Sequence, residues 1–152
     1  SRGLGDVYKR QTVSSSDIST FTNTAGGETL AITGAGSVAS ALSGAGKTIT
    51  LGTLTLTDGT GLASNYSLAS GTFDVNSRQV NISGSRIFDG TTVVSGTDLV
   101  VTTGVGSEIL TVTGTGSISN ANVGVGKSVT AGTLALASGS GASSNYTMVP
   151  LL

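Results

Sequence analysis

The chain has 152 residues, 24 of them Gly, and Gly, Ser and Thr together make up nearly half of it. It contains no Cys and no His, which excludes disulfide frameworks, thiol nucleophiles, Ser-His-Asp triads and the usual zinc sites. Seven basic and eight acidic residues give a net charge of −1, and this balance does not favour nucleic acid or anionic lipid as a partner.

The high Gly and Ser content raises disorder as an alternative to a folded domain. However, Leu, Ile, Val and Phe make up about a quarter of the chain, above the roughly 20% that is typical of disordered chains. These residues are spaced rather than clustered, so we predict a folded, turn-rich chain. No stretch approaches the ~18 apolar residues of a membrane span, and we predict no membrane insertion of this segment.

Residues 1–11 (SRGLGDVYKRQ) differ from everything that follows. They hold three of the seven basic residues and lack both Thr and an alternating pattern. The run resembles the translated sequencing-adaptor string found at the ends of proteins predicted from metagenomic fragments. We therefore interpret 1–11 as a non-native segment and exclude it from the fold prediction.

An internal repeat organises the rest of the chain. Residues 24–68 match residues 104–148 at a constant offset of 80, without a gap and with 21 identities in 45 positions. We predict a first module over 12–76, which lacks its start, and a second over 77–152, which lacks a few residues at its end. We therefore expect the chain to be a window from a longer tandem array.

Each module has the apolar alternation of β-strands. Glu28–Thr33 and Lys47–Thr57 alternate apolar and polar residues, and Gly52 shifts the phase of the second run as a β-bulge would. Gly-x-Gly triplets separate the strands at roughly ten-residue spacing, and no segment has a helical period. We predict an all-β chain of two tandem Ig-like β-sandwich modules of about 80 residues, with a β-solenoid as the alternative.

No motif indicates catalysis. The Gly44–Lys47 turn is similar to a phosphate-binding loop but leads into a strand-like run rather than a helix. Glu28 and Glu108 coincide at the offset of 80, and each is interpreted as a lone acid at a strand start. We therefore predict no enzyme, and no catalytic, cofactor-binding or metal-binding residues.

Two short motifs carry a resemblance to a known family. The second copy contains Phe88-Asp89-Gly90-Thr91, and the copies end on Asn65-Tyr66 and Asn145-Tyr146. These marks resemble the YDG-type repeat of large bacterial haemagglutinin-like proteins, with Phe88 in place of the family's Tyr. The resemblance implies that these eight residues are structural, and that the chain belongs to a secreted or cell-surface bacterial adhesin.

Taken with the repeat, this resemblance implies a stalk or spacer of tandem modules, found outside the cell or at the bacterial surface. The implied partners are neighbouring repeats of the same chain, and host or surface glycans or proteins. The alternative is a carbohydrate-binding module of an extracellular bacterial protein. Such modules usually present exposed aromatic side chains, and this chain contains only three Phe and three Tyr.

Overall fold

The computed structural model describes residues 11–18, 21 and 24–149. These residues form β-strands, turns and short 3-10 turns, without an α-helix among them, so the predicted all-β class is confirmed. The chain divides between Asn76 and Ser77 into two compact units. We call residues 11–76 the first unit and residues 77–149 the second unit.

The first unit contains six strands, β1 (Thr12–Ser14), β2 (Leu30–Thr33), β3 (Ala35–Val38), β4 (Gly44–Thr50), β5 (Thr55–Asp58) and β6 (Thr72–Val75). One antiparallel sheet has the order β1-β3-β4-β6, and β2 pairs with β5. The core consists of four buried side chains, with Phe73 of β6 packed against them. These four are Val13, Val38, Ile49 and Leu54.

The second unit contains β7 (Arg78–Gly84), β8 (Val93–Ser95), β9 (Leu99–Thr102), β10 (Leu110–Thr113), β11 (Thr115–Ile118), β12 (Val129–Thr130), β13 (Ala135–Ser138) and β14 (Tyr146–Met148). Its sheets have the orders β12-β11-β8, β14-β7-β9 and β10-β13. The β14–β7 pairing is parallel and the others are antiparallel. Val80, Leu110, Val112 and Leu134 are among its buried apolar residues.

The internal repeat is visible in the strand pairing. The β2–β5 pair joins Leu30 to Asp58, and the β10–β13 pair joins Leu110 to Ser138, both shifted by 80. The sheets of both units contain only two to four strands each. The arrangement as Ig-like sandwiches stays a prediction.

The prediction of a β-bulge at Gly52 is wrong. The run Lys47–Thr57 is divided into β4 and β5, which belong to different sheets. Gly52 lies in the turn between them with φ +55, and a Cβ there would lie 2.6 Å from the carbonyl oxygen of Ala35. Glycine is required because the positive φ is strained for other residues and the space is occupied.

Residues 1–10 of the segment interpreted as non-native lie outside the described residues. Gln11, its last residue, hydrogen-bonds to the first unit. The Val38 amide donates to the Gln11 carbonyl at 2.8 Å, and Gln11 Nε2 donates to the Ala39 carbonyl at 2.9 Å. Gln11 is therefore hydrogen-bonded into the first unit, although it lies inside the segment interpreted as non-native.

Candidate functional site

Each unit contains the same contact between a tyrosine hydroxyl and a glutamate carboxylate. Tyr66 Oη donates to Glu28 Oε2 at 2.5 Å, and Tyr146 Oη donates to Glu108 Oε2 at 2.5 Å. In the first unit the Tyr66 oxygen also accepts the Ala25 amide at 3.1 Å. The hydroxyl thus ties together segments 38 residues apart in the chain.

The chain around each tyrosine is shaped for this contact. A 3-10 turn, Ala63–Asn65 or Ser143–Asn145, ends immediately before the ring. A Cβ at Gly61 would lie 2.6 Å from Glu28 Oε2, and one at Gly141 would lie 2.8 Å from Glu108 Oε2. Because Gly61 and Gly141 have no side chain, each leaves room for the glutamate carboxylate.

These contacts correct the interpretation of Glu28 and Glu108 as lone acids. Each is the acceptor of a short hydrogen bond, and for Tyr66 this bond with Glu28 raises the pKa above the ordinary value of 10.0. The signal available in the sequence was the recurrence itself, because the neighbouring acid Asp58 becomes Ser138 in the second copy whereas Glu28 is kept.

The Asn-Tyr pairs are placed differently in the two units. Asn145 and Tyr146 are buried, with 2% and 6% of their surface exposed, whereas Asn65 is exposed and Tyr66 half-buried. In the second unit β7 runs alongside β14, where Tyr146 lies.

The Phe88–Thr91 motif forms a turn with its own hydrogen bonds. Asp89 Oδ1 accepts the Thr91 amide at 2.9 Å and the Thr91 hydroxyl at 3.0 Å. It also lies 3.4 Å from Arg86 Nη2, and Arg86 donates to the carbonyls of Thr91 and Val93. The Thr91 amide bond, followed by the hydroxyl bond and the charge of Arg86, holds the pKa of Asp89 below its ordinary value of 3.8.

This turn borders an open groove of about 670 Å³ in the second unit. Phe88 is 62% exposed there, and the apolar lining continues with Ile118, Val123, Val125 and Val129. Neither Asn145 nor Tyr146 lines the groove. The eight motif residues therefore do not form a single site.

The Lys127 side chain, which lines the groove, is hydrogen-bonded within its own loop. Lys127 Nζ donates to the carbonyl and Oδ1 of Asn120, at 3.0 and 2.9 Å, and to the carbonyl of Asn122. Strand β12 follows Lys127, and Lys47 lies within β4. A phosphate loop requires a helix N-terminus at this point, so neither Gly-Lys turn has that geometry.

Neither metal-binding nor membrane-spanning features were found in the part of the chain that the structure describes. No group of three or more Asp and Glu residues there could hold a metal ion. No helix among the described residues is long and apolar enough to cross a membrane. The second unit therefore contains an apolar groove, with strand β12 at its edge and the hydrogen-bonded Phe88–Thr91 turn at its rim.

Comparison with known proteins identifies the second unit. The YDG domain matches residues 75–151, which include the Phe88 turn, the groove and the Asn145-Tyr146 pair. No curated protein and no solved structure matches the chain. Since the match spans half of the sequence, the chain belongs to the YDG domain family.

Proposed function

We propose that this chain is a structural and adhesive repeat of a secreted or cell-surface bacterial protein of the haemagglutinin-like type, where it acts as a stalk or spacer without catalysis. The observation that carries the proposal is the repeated module with almost no linker. Strand β6 of the first unit ends at Val75 and β7 of the second begins at Arg78. Only Asn76 and Ser77 separate the two strands, so the connection contains no Gly/Ser/Pro-rich linker of the flexible kind.

The residues that recur between the copies support the same role. Glu28 and Tyr66 bond to each other, as do Glu108 and Tyr146, so these identical residues serve the fold of each unit. Recurrent residues of this kind are expected of a module selected for repetition.

The stalk role is tested by small-angle scattering on chains with two, four and six complete modules. We expect the maximum dimension to increase in proportion to the number of modules. A maximum dimension that increases only with the cube root of chain mass would indicate collapse into one globule and would refute the stalk. Binding to host cells, measured on the same chains, tests the adhesive part separately.

One observation favours carbohydrate binding as a second candidate. Phe88 is largely exposed at the groove, next to the charged side chains of Arg86 and Asp89, and sugar sites commonly combine an aromatic face with polar groups. The test is a glycan array probed with the whole chain and with Phe88→Ala. Ile109→Ala is the matched control, since Ile109 is 63% exposed and outside the groove lining. Binding that Phe88→Ala does not weaken would reject this site.

A further inference from the structure

The two units differ at one edge of their corresponding sheets. In the first unit β6 pairs antiparallel with β4, with Lys47 opposite Phe73 and Thr48 opposite Thr72. In the second unit β12 corresponds to the end of β4, and it is the edge strand of the β12-β11-β8 sheet among residues 77–149. An edge strand presents a row of backbone donors and acceptors that another strand can pair with.

The burial of the side chains below that edge differs in the same way. Val38 and Ile49 of the first unit are 3% and 8% exposed, and Phe73 packs against the cluster that they form. Their counterparts at the offset of 80, Ile118 and Val129, are only half-buried. Among residues 77–149 no strand covers Ile118 and Val129 in the way that β6 covers the corresponding side chains of the first unit.

The groove of the second unit lies along this uncovered position. Ile118 and Val129 line it, together with two valines that are almost fully in solvent, Val123 at 88% and Val125 at 100% exposure. Apolar side chains grouped at such exposure on one face mark a surface that binds a partner. The first unit shows which partner fits, because there the equivalent surface carries a strand.

We propose that this groove binds one extended strand of the β6 type, the closing strand of a module of this same repeat, paired antiparallel with the free edge of β12. Its Phe, at the position of Phe73, covers Ile118 and Val129. Its Asp, at the position of Asp74, accepts the amide of Gly126, as Asp74 Oδ1 accepts the Gly46 amide at 2.7 Å in the first unit. The proposal rests on the comparison of the two units and is independent of the adhesive function.

The pairing geometry favours a strand over a sugar. In the first unit the Ile49 amide donates to the Gly71 carbonyl at 3.0 Å, and Ser70 Oγ donates to the Ile49 carbonyl at 2.5 Å. Val129, the counterpart of Ile49, offers the same backbone groups at the groove. Strand addition uses such main-chain groups for affinity and apolar pockets for specificity.

The first experiment supplies the strand within the chain. Position 152 corresponds to Thr72, so appending Phe-Asp-Val-Asn after Leu152 provides counterparts of Phe73–Asn76. We expect amide hydrogen exchange at Gly126 and Val129 to slow at least tenfold, with no change at Ile49 of the first unit. Replacing the appended Phe by Ser should abolish most of this protection. Unchanged exchange at Val129 in the extended chain would overturn the proposal.

The second experiment supplies the strand as a separate molecule. A synthetic peptide of residues 70–76 (SGTFDVN) is titrated into the isotope-labelled 152-residue chain and followed by NMR. We expect saturable shifts at Ile118, Gly126 and Val129, at least tenfold weaker binding by the peptide with Ser for Phe, and no binding to the extended chain. Binding of the peptide elsewhere, or glycan binding at the groove that the extended chain retains, would contradict the assignment. Linkage raises the local concentration of the strand in the extended chain. An extended chain in which Val129 is not protected therefore contradicts the proposal, whatever the affinity of the free peptide.

Discussion

In each unit a single hydroxyl joins two segments that lie 38 residues apart in the sequence. Tyr146 is 6% exposed, and its Oη donates to Glu108 Oε2 at 2.5 Å. The same pair in the first unit is more open to solvent. The two units therefore contain the same tyrosine–glutamate hydrogen bond at two different degrees of burial.

Replacing Tyr146 by Phe removes the hydroxyl and keeps the ring. We expect the second unit to lose about 2 kcal/mol of unfolding free energy, because a hydrogen bond from a buried hydroxyl to a charged acceptor is lost. Tyr66→Phe should cost less, since Tyr66 is only half-buried whereas Tyr146 is buried. Urea unfolding followed by NMR signals of each unit measures both changes, and the exposed Thr111→Val serves as control. Equal losses in the two units would contradict the role of burial.

The raised pKa of Tyr66 predicts a pH effect with a definite sign. The hydrogen bond to Glu28 raises this pKa above 10.0, so its stabilising contribution is complete below pH 10 and is lost as the pH rises through the folded-state pKa. NMR titration of the tyrosine Cζ resonances should show Tyr66 ionising above the ordinary pKa. Glu28→Gln should move that midpoint back towards 10, and a midpoint that Glu28→Gln leaves unchanged would contradict this cause.

Sequence reasoning located these tyrosines and noted the recurring glutamates, but it did not predict that they pair. The Asn-Tyr pair was recognisable because both residues recur as a dipeptide. Glu28 lies 38 residues before Tyr66, and no local pattern connects positions so far apart. The glutamate recurs at the offset of 80. This recurrence indicates that the module requires the residue, but it does not indicate which residue it contacts.

The alternating pattern correctly predicted where strands lie, but it did not predict which strands share a sheet. The alternating run Glu28–Thr33 contains β2, and the run Lys47–Thr57 overlaps β4 and β5. However, β4 and β5 lie in different sheets, which alternation does not reveal because it reports only which side chains are buried. Gly52 was the visible sign of the change, and its positive φ turns the chain from one sheet to the other.

The glycine before β3 allows this packing to be tested. A Cβ at Gly34, whose φ is +89, would lie 2.0 Å from the carbonyl oxygen of Thr53. We expect Gly34→Ala to destabilise the first unit by about 2 kcal/mol or more, through backbone strain and the clash. Gly71→Ala is the matched control, because its Cβ meets nothing within 4 Å. Comparable melting temperatures for the two variants would show that β3 and its turn can shift at little cost.

At the scale of the whole chain, composition and repetition predicted the all-β class and the presence of two related modules. They did not predict the uneven burial of the two copies. Ile49 and Val129 are both aliphatic and occupy the same repeat position, yet one is buried and the other half-buried. In the first unit the Ile49 amide donates to the Gly71 carbonyl at 3.0 Å, and the local pattern around Ile49 does not record a neighbour so distant in the sequence.

The parallel pairing of β7 and β14 has a consequence for mechanical load. Arg78 lies opposite Tyr146, and Val80 opposite Met148, so the start of β7 and the end of β14 are at opposite ends of the paired stretch. Force applied between them loads all the hydrogen bonds of the pair together, in shear. Force across the antiparallel β10–β13 pair, applied at the Leu110 and Ser138 end, opens its bonds one after another.

Because the chain has no Cys, pulling points can be introduced in pairs. We expect the double variant Ser77→Cys and Val149→Cys to unfold at a clearly higher force than Thr111→Cys and Ala137→Cys at the same loading rate, in single-molecule pulling, which reports unfolding rates rather than equilibrium stability. Equal forces would mean that the β7–β14 pair bears no load. Strand β7, which follows the first unit in the chain, is thus one of the two strands loaded in shear. We therefore expect the second unit to resist force best when it acts between the start of β7 and the end of β14.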